Sequence, residues 1–230
     1  MRKSPIGAFT LIELLTVMTI IAILSGLVVG IAGYATKRAS RARATGDIEM
    51  LKSVCEVYKT DNGAYPREVA TAGTSATDVL SPKQHFNPSD PKYAASSLFL
   101  YKELTGDKKG ANGTLPDGVP DDGEQRYMKE YDPRILNAKK DTSSKRITEV
   151  RYLQDPFGFS YGYSTAAAAT EQDFKRDLLL GKKPNRLAGN ALPGFNVESF
   201  DLWSTSGNAP GAAPAAEKRD LEWAKWLKNW

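Results

Sequence analysis

The 230-residue chain contains one cysteine, Cys55, and one histidine, His85. A single cysteine excludes an intramolecular disulfide, so any folded domain must be held by its core or by bound metal. No Ser/His/Asp triad, zinc cluster or Rossmann-type glycine loop can be assembled from these residues. His85, within Pro82-Lys83-Gln84-His85-Phe86-Asn87-Pro88, reads as a loop residue. Charge is nearly balanced, with 31 Lys and Arg against 27 Asp and Glu. The cations are scattered outside 37–43, which argues against a nucleic-acid partner.

Charge is missing altogether from Leu14 to Ala35, and this absence is the most informative one. The run is 22 residues long, roughly 33 Å as a helix, enough to cross a bilayer core. Arg2 and Lys3 lie ahead of it, and Gly7-Ala8-Phe9-Thr10-Leu11-Ile12-Glu13-Leu14-Leu15 leads into it. Glu13 stands at the entrance, where an unpaired carboxylate is costly and therefore a candidate functional residue. A cleaved secretory signal has a shorter apolar core followed by an A-x-A site. Ala42-Arg43-Ala44 meets that pattern only after too long a run and too basic a cluster. An uncleaved signal anchor is the other plain reading.

These residues closely resemble the type IV pilin-like N-terminus. The resemblance implies that a membrane-embedded prepilin peptidase cuts between Ala8 and Phe9. It further implies that Phe9 is then N-methylated and that Glu13 serves assembly. Two positions depart from the family: Ala8 stands where Gly is usual before the cut, and Gly30 where many members carry Pro. Ala is small enough for a tight cleavage pocket. Gly still leaves a weak point, at about 1 kcal/mol against Ala. Two cations precede the span and four follow it (Lys37, Arg38, Arg41, Arg43). That count alone favours the reverse orientation, so the expected topology rests on the motif.

Beyond the span the helix becomes amphipathic. Ile48, Leu51, Val54/Cys55 and Tyr58 form one stripe among Asp47, Glu49, Lys52 and Glu56, and Asp61-Asn62-Gly63 supplies a stop. One helix from Phe9 to Thr60–Asn62 is predicted, on the order of 75 Å long. Its second half can bury a stripe against a following domain, with Cys55 as a small core residue.

Three later passages resemble the major (G-type) pseudopilins of type II secretion, in that family's order: Tyr58-Lys59-Thr60-Asp61-Asn62-Gly63-Ala64-Tyr65-Pro66, Asp155-Pro156-Phe157-Gly158-Phe159-Ser160-Tyr161-Gly162-Tyr163, and Phe200-Asp201-Leu202-Trp203-Ser204. Residues 67–154 have no clear counterpart in a minimal pseudopilin. Period-two alternation at Phe159, Tyr161, Tyr163 and at Phe195, Val197 predicts strands. The phase shift to Phe200, Leu202, Ser204 predicts a bulge or turn near Glu198-Ser199. Helices are predicted over 93–104 and 166–180.

Asp117, Asp121, Asp122 and Glu124, spaced by glycines, suit an oxygen-ligand cation such as calcium; a solvated turn-rich loop is the alternative. The resemblance implies a second calcium loop at Thr205–Gly211, but its expected Asp is the neutral Asn208. A linker over 207–214 precedes a predicted helix, Glu217–Trp230, bearing Trp223, Trp226 and Trp230. These tryptophans can dock on their own domain or anchor a partner subunit.

The expectation is an α+β, pilin-like chain: leader 1–8, long helix 9–62 with 9–35 in the membrane or filament core, globular domain 63–206 with an α/loop insert at 67–154, and linker plus C-terminal helix 207–230. The implied function is a non-enzymatic structural subunit of a type II secretion-type filament that drives protein export. Its implied partners are further copies of itself, prepilin peptidase, the secretion assembly platform and other pseudopilins. The implied location is the bacterial inner membrane, single-pass, leader cytoplasmic and domain periplasmic. The alternatives are a type IV pilus or DNA-uptake pilin, and a membrane-anchored periplasmic enzyme or binding protein.

Overall fold

A computed structural model describes residues 10–68, 75–110, 115–187, 189–210 and 213–230. Helix α1 runs from Leu11 to Asn62. It is followed by α2 (Ala76–Val79), α3 (Pro91–Thr105), β1 (Leu136–Lys140), β2 (Ile147–Leu153), β3 (Gly162–Ser164), α4 (Ala166–Leu179), β4 (Asp201–Ser204), α5 (Arg219–Trp223) and β5 (Leu227–Lys228). The chain divides into two compact units, residues 1–40 and 41–230. The architecture is α+β with small antiparallel sheets, consistent with a pilin-like fold.

In the larger unit the expected stripe is the one that is buried. Ala44, Ile48, Leu51 and Cys55 are at most 2% exposed, at spacings that put them on one helix face. Ile48, Leu51 and Cys55 meet Leu100, Tyr101 and Leu104 of α3, Val150 and Leu153 of β2, Tyr161 and Tyr163, and Phe200 and Leu202. Tyr161 also donates its hydroxyl to Asp47 at 2.8 Å. Burial raises the Cys55 thiol pKa, in keeping with a core role.

Helix α3 is bounded by local chemistry. Asp90 caps it by accepting from the Lys92 amide at 3.0 Å, and Pro91 fills the first helical position, where a missing N–H costs nothing. Gly106 ends it at φ +72°, donating to the Lys102 carbonyl, in the left-handed geometry that glycine tolerates.

Three features depart from the sequence reading. The insert contains a β-hairpin, β1 with β2, rather than only helix and loop. Register shifts at Asn137/Ala138 and Lys139/Lys140 break the alternation by which a hairpin is recognised. Residues 195–199 are bend and irregular backbone, not strand. Here the Phe195 and Asn196 amides donate to the Asp201 carboxylate at 2.8 and 3.0 Å, so they are not free for a ladder. Finally, the predicted C-terminal helix is only the five-residue α5, and the chain then forms β5.

Strand β5 completes a three-stranded sheet in the order β3-β4-β5. It pairs Trp203 with Lys228 and Ser204 with Leu227, covering what would be an open β4 edge. On the other side Gly162 faces Trp203. A Cβ on Gly162 would overlap the Trp203 indole, so glycine is required by that close approach.

Candidate assembly site on the N-terminal helix

Helix α1 is long and apolar enough to cross a membrane. Every large apolar side chain from Leu11 to Val28 is at least half exposed, on all sides of the helix. Three of its threonine hydroxyls are satisfied locally. Thr16 donates to the Glu13 carbonyl at 2.9 Å, Thr19 to Leu15 at 2.8 Å and Thr36 to Ala32 at 3.1 Å. Such bonds remove the cost of placing a hydroxyl in lipid.

Glu13 closes the helix start. Its carboxylate accepts from the Thr10 amide at 2.8 Å and the Thr10 hydroxyl at 2.7 Å. The Glu13 amide donates back to Thr10 Oγ1 at 3.3 Å. This reciprocal pair is a capping box, which supplies partners for amides that have none within the helix. The Thr-x-x-Glu spacing was the available signal for it. Ala8 and Phe9, the expected cleavage residues, lie outside the described residues.

Past the span, two of the four cations are engaged within the folded domain. Arg41 donates to the Lys225 carbonyl at 3.1 Å, and Arg43 lies 3.9 Å from Asp132.

The remaining candidate residues lie in the folded domain. Among the described residues no group of three or more His, Cys, Asp or Glu is placed to hold a metal ion. Asp121 accepts from the Lys108 and Lys109 amides at 2.9 and 2.8 Å. Glu124 pairs with Lys108 at 2.8 Å, Asp117 accepts from the Val119 amide at 3.1 Å, and Asp122 is exposed. The loop is organised instead by the buried Asp107, which the sequence reading did not single out. Its carboxylate accepts from Tyr101 at 2.7 Å and from the Gly118 and Asp117 amides at 2.8 and 3.2 Å. Burial raises its pKa, against the pull of those donors. In the second expected loop, the Asn208 side-chain amide donates to the Thr205 carbonyl at 3.0 Å.

The tryptophans pack on their own domain, the first of the two expected placements. Trp223 and Trp226 are buried, and Trp230 is partly so, in a cluster with Leu80, Phe86, Tyr93, Trp203 and Phe195. The Trp223 indole N–H donates to the Pro82 carbonyl at 2.9 Å. His85 belongs to the same neighbourhood, with Lys92 Nζ 2.7 Å from its Nε2. Burial first, and the Lys92 charge second, lower its pKa.

Residues 4–29 match the family model described as the prokaryotic N-terminal methylation motif. Three curated relatives are each named type II secretion system core protein G. The protein of Klebsiella michiganensis is 32% identical over 91 residues, 39% of this chain and 64% of that protein. The Dickeya chrysanthemi protein is 29% identical over 129 residues, 49% of this chain and 79% of that protein. The Pectobacterium carotovorum protein is 40% identical over 83 residues, 36% of this chain and 53% of that protein. The chain thus spans less than two thirds of the Klebsiella and Pectobacterium relatives that it matches. No solved structure matches it at a significant level. The chain carries the type IV pilin-like N-terminal methylation motif on an α+β fold, and is similar to type II secretion system core protein G.

Proposed function

We propose that this chain is a pseudopilin, a structural subunit of a type II secretion-type envelope filament that drives protein export. The observation carrying the reading is the methylation motif at the head of a helix whose apolar side chains are exposed on all sides. A surface of that extent needs lipid or other helices against it. Lipid would cover it in the inner membrane before assembly, and the helices of further copies would cover it afterwards. A prepilin peptidase would release residues 1–8 and expose the Phe9 amine for methylation. The secretion assembly platform and other pseudopilins would then receive the subunit. Its work is mechanical rather than catalytic.

The folded domain would face the periplasm. Arg41 and Arg43 weigh against this in a simple charge count. Their engagement with Lys225 and Asp132 gives them a different role and supports the proposed orientation.

In a host with active prepilin peptidase, mass spectrometry of the membrane-extracted protein should find Phe9 first and methylated. A retained leader would overturn the reading.

A further inference from the structure

We propose that two exposed patches of the folded domain join head to tail between successive copies of this chain, an inference that rests on the filament reading. The first patch follows α4. Leu178, Leu179 and Leu180 are 57%, 89% and 65% exposed, and Lys182, Lys183 and Arg186 come directly after. No acidic residue occurs within 178–187. Asp177 pairs with Lys182 and Glu171 with Arg186, each at 3.0 Å. Lys183 has no ion-pair partner among the described residues.

The second patch is the loop 115–124. Val119 is 65% exposed and Leu115 39%, and the loop holds four carboxylates and no cation. Lys108 engages Glu124 at 2.8 Å, whereas Asp122 is exposed and has no ion-pair partner among the described residues. The loop is a built surface. The Val150 amide donates to the Pro116 carbonyl at 2.7 Å, and Gly118 packs on Ile147.

Neither patch complements itself. A two-fold contact would set cation against cation, or carboxylate against carboxylate, around the apolar residues. Setting the leucine patch of one copy on the valine patch of the next covers both apolar surfaces and opposes the charges. Different elements carry the two patches: α4 packs on α2, whereas the loop rests on the end of α3 and on β2. The contact is therefore heterologous, the kind that propagates into an open helical array unless it closes into a ring. A lipid surface would suit the leucine–lysine patch alone, but would leave its acidic counterpart without a role.

The test uses the full chain, expressed with prepilin peptidase and the assembly machinery. Lys183→Cys and Asp122→Cys are introduced together and treated with a short bismaleimide; the native Cys55 is buried. The double variant should give a ladder of cross-linked multimers, and each single variant none. Lys183→Glu and Asp122→Lys should each reduce filament yield, and combining them should restore it. Wild-type filaments without a ladder, or charge reversals that neither impair nor rescue, would overturn the contact while leaving the filament reading intact. Absence of wild-type filaments would overturn the filament reading, and the contact with it. If the thiol introduced by Lys183→Cys is shielded from a water-soluble maleimide in unassembled membranes, the patch belongs to lipid and the proposal is overturned.

Discussion

The Trp203 and Trp226 rings lie 6.0 Å apart and within 6° of parallel, which ties the last residues of the chain to the strand from which the linker departs. Phe195 and Trp230 stack similarly, at 4.6 Å and 10°. The tail is thus part of the domain's second core. Trp226→Ala should cost about 3 kcal/mol or more. At roughly 2–4 °C per kcal/mol for a domain of this size, the melting temperature should fall by about 6 °C or more. Ending the chain after Pro214 should lower it further. Unchanged melting with failed assembly would show that the tail acts between subunits instead.

Thr10 and Glu13 separate two roles that one substitution would confuse. Glu13→Gln preserves a side chain suited to a capping box but removes the charge. Thr10→Ala removes the cap, at about 1 kcal/mol, and keeps the charge. If Glu13 neutralises the Phe9 amine of a neighbour within a filament, losing one member of that buried pair costs about 3–5 kcal/mol. Filament yield should therefore fall much further in Glu13→Gln than in Thr10→Ala. Equal yields would show that charge is not the requirement.

Asp201 makes the domain's stability depend on pH. Burial raises its pKa to about 6, against the lowering effect of the Phe195 and Asn196 amides and of Lys83. Because the folded state holds this proton more tightly than an unfolded aspartate of pKa about 3.9, its contribution is most favourable below about pH 4. That contribution declines as pH rises through about 6. The shift corresponds to roughly 1–3 kcal/mol. Asp201→Asn should remove that part of the slope, so the stability difference between wild type and variant should change between pH 4 and 6 and level off above it. Parallel pH profiles would refute this.

His85 should act in the opposite direction. Its folded pKa is depressed by burial and by Lys92, while the Ser81 backbone and Asp90 pull it upward. Protonation is therefore disfavoured in the folded state, and stability should drop as pH falls below about 6.5. His85→Gln should flatten that limb in urea titrations, and an unchanged acid limb would count against the assignment.

Gly162 should tolerate no side chain, because a Cβ there meets the Trp203 indole. Gly162→Ala should destabilise by about 1–3 kcal/mol through overpacking. Gly123, where an added Cβ would meet no atom within 4 Å beyond its chain neighbours, serves as the comparison. Its φ of +84° confines the cost of Gly123→Ala to backbone strain. Comparable denaturation midpoints for wild type and Gly162→Ala would show that the indole can move aside.

Periodicity and local chemistry account for the long elements. An uncharged run followed by the Ile48–Leu51–Cys55 stripe is enough to place α1, and Asp90-Pro91 with Gly106 is enough to bound α3, because helix ends are set by neighbours in sequence. The Thr10-to-Glu13 spacing likewise encodes its cap. Long-range partners decided the rest. Phe195 and Val197 alternate as a strand does, yet Asp201 takes the Phe195 and Asn196 amides, and nothing local to 195–199 announces that competitor. Residues 217–230 carry a helical pattern of tryptophans, yet the open edge of β4 draws Leu227–Lys228 into a strand, and backbone pairing satisfied at that edge outweighs the propensity of a short helix. Asp117, Asp121, Asp122 and Glu124 look like cation ligands in sequence. In the fold, backbone amides and Lys108 reach three of them, and Asp107 organises the loop from beneath, because burial decides which carboxylate must find donors.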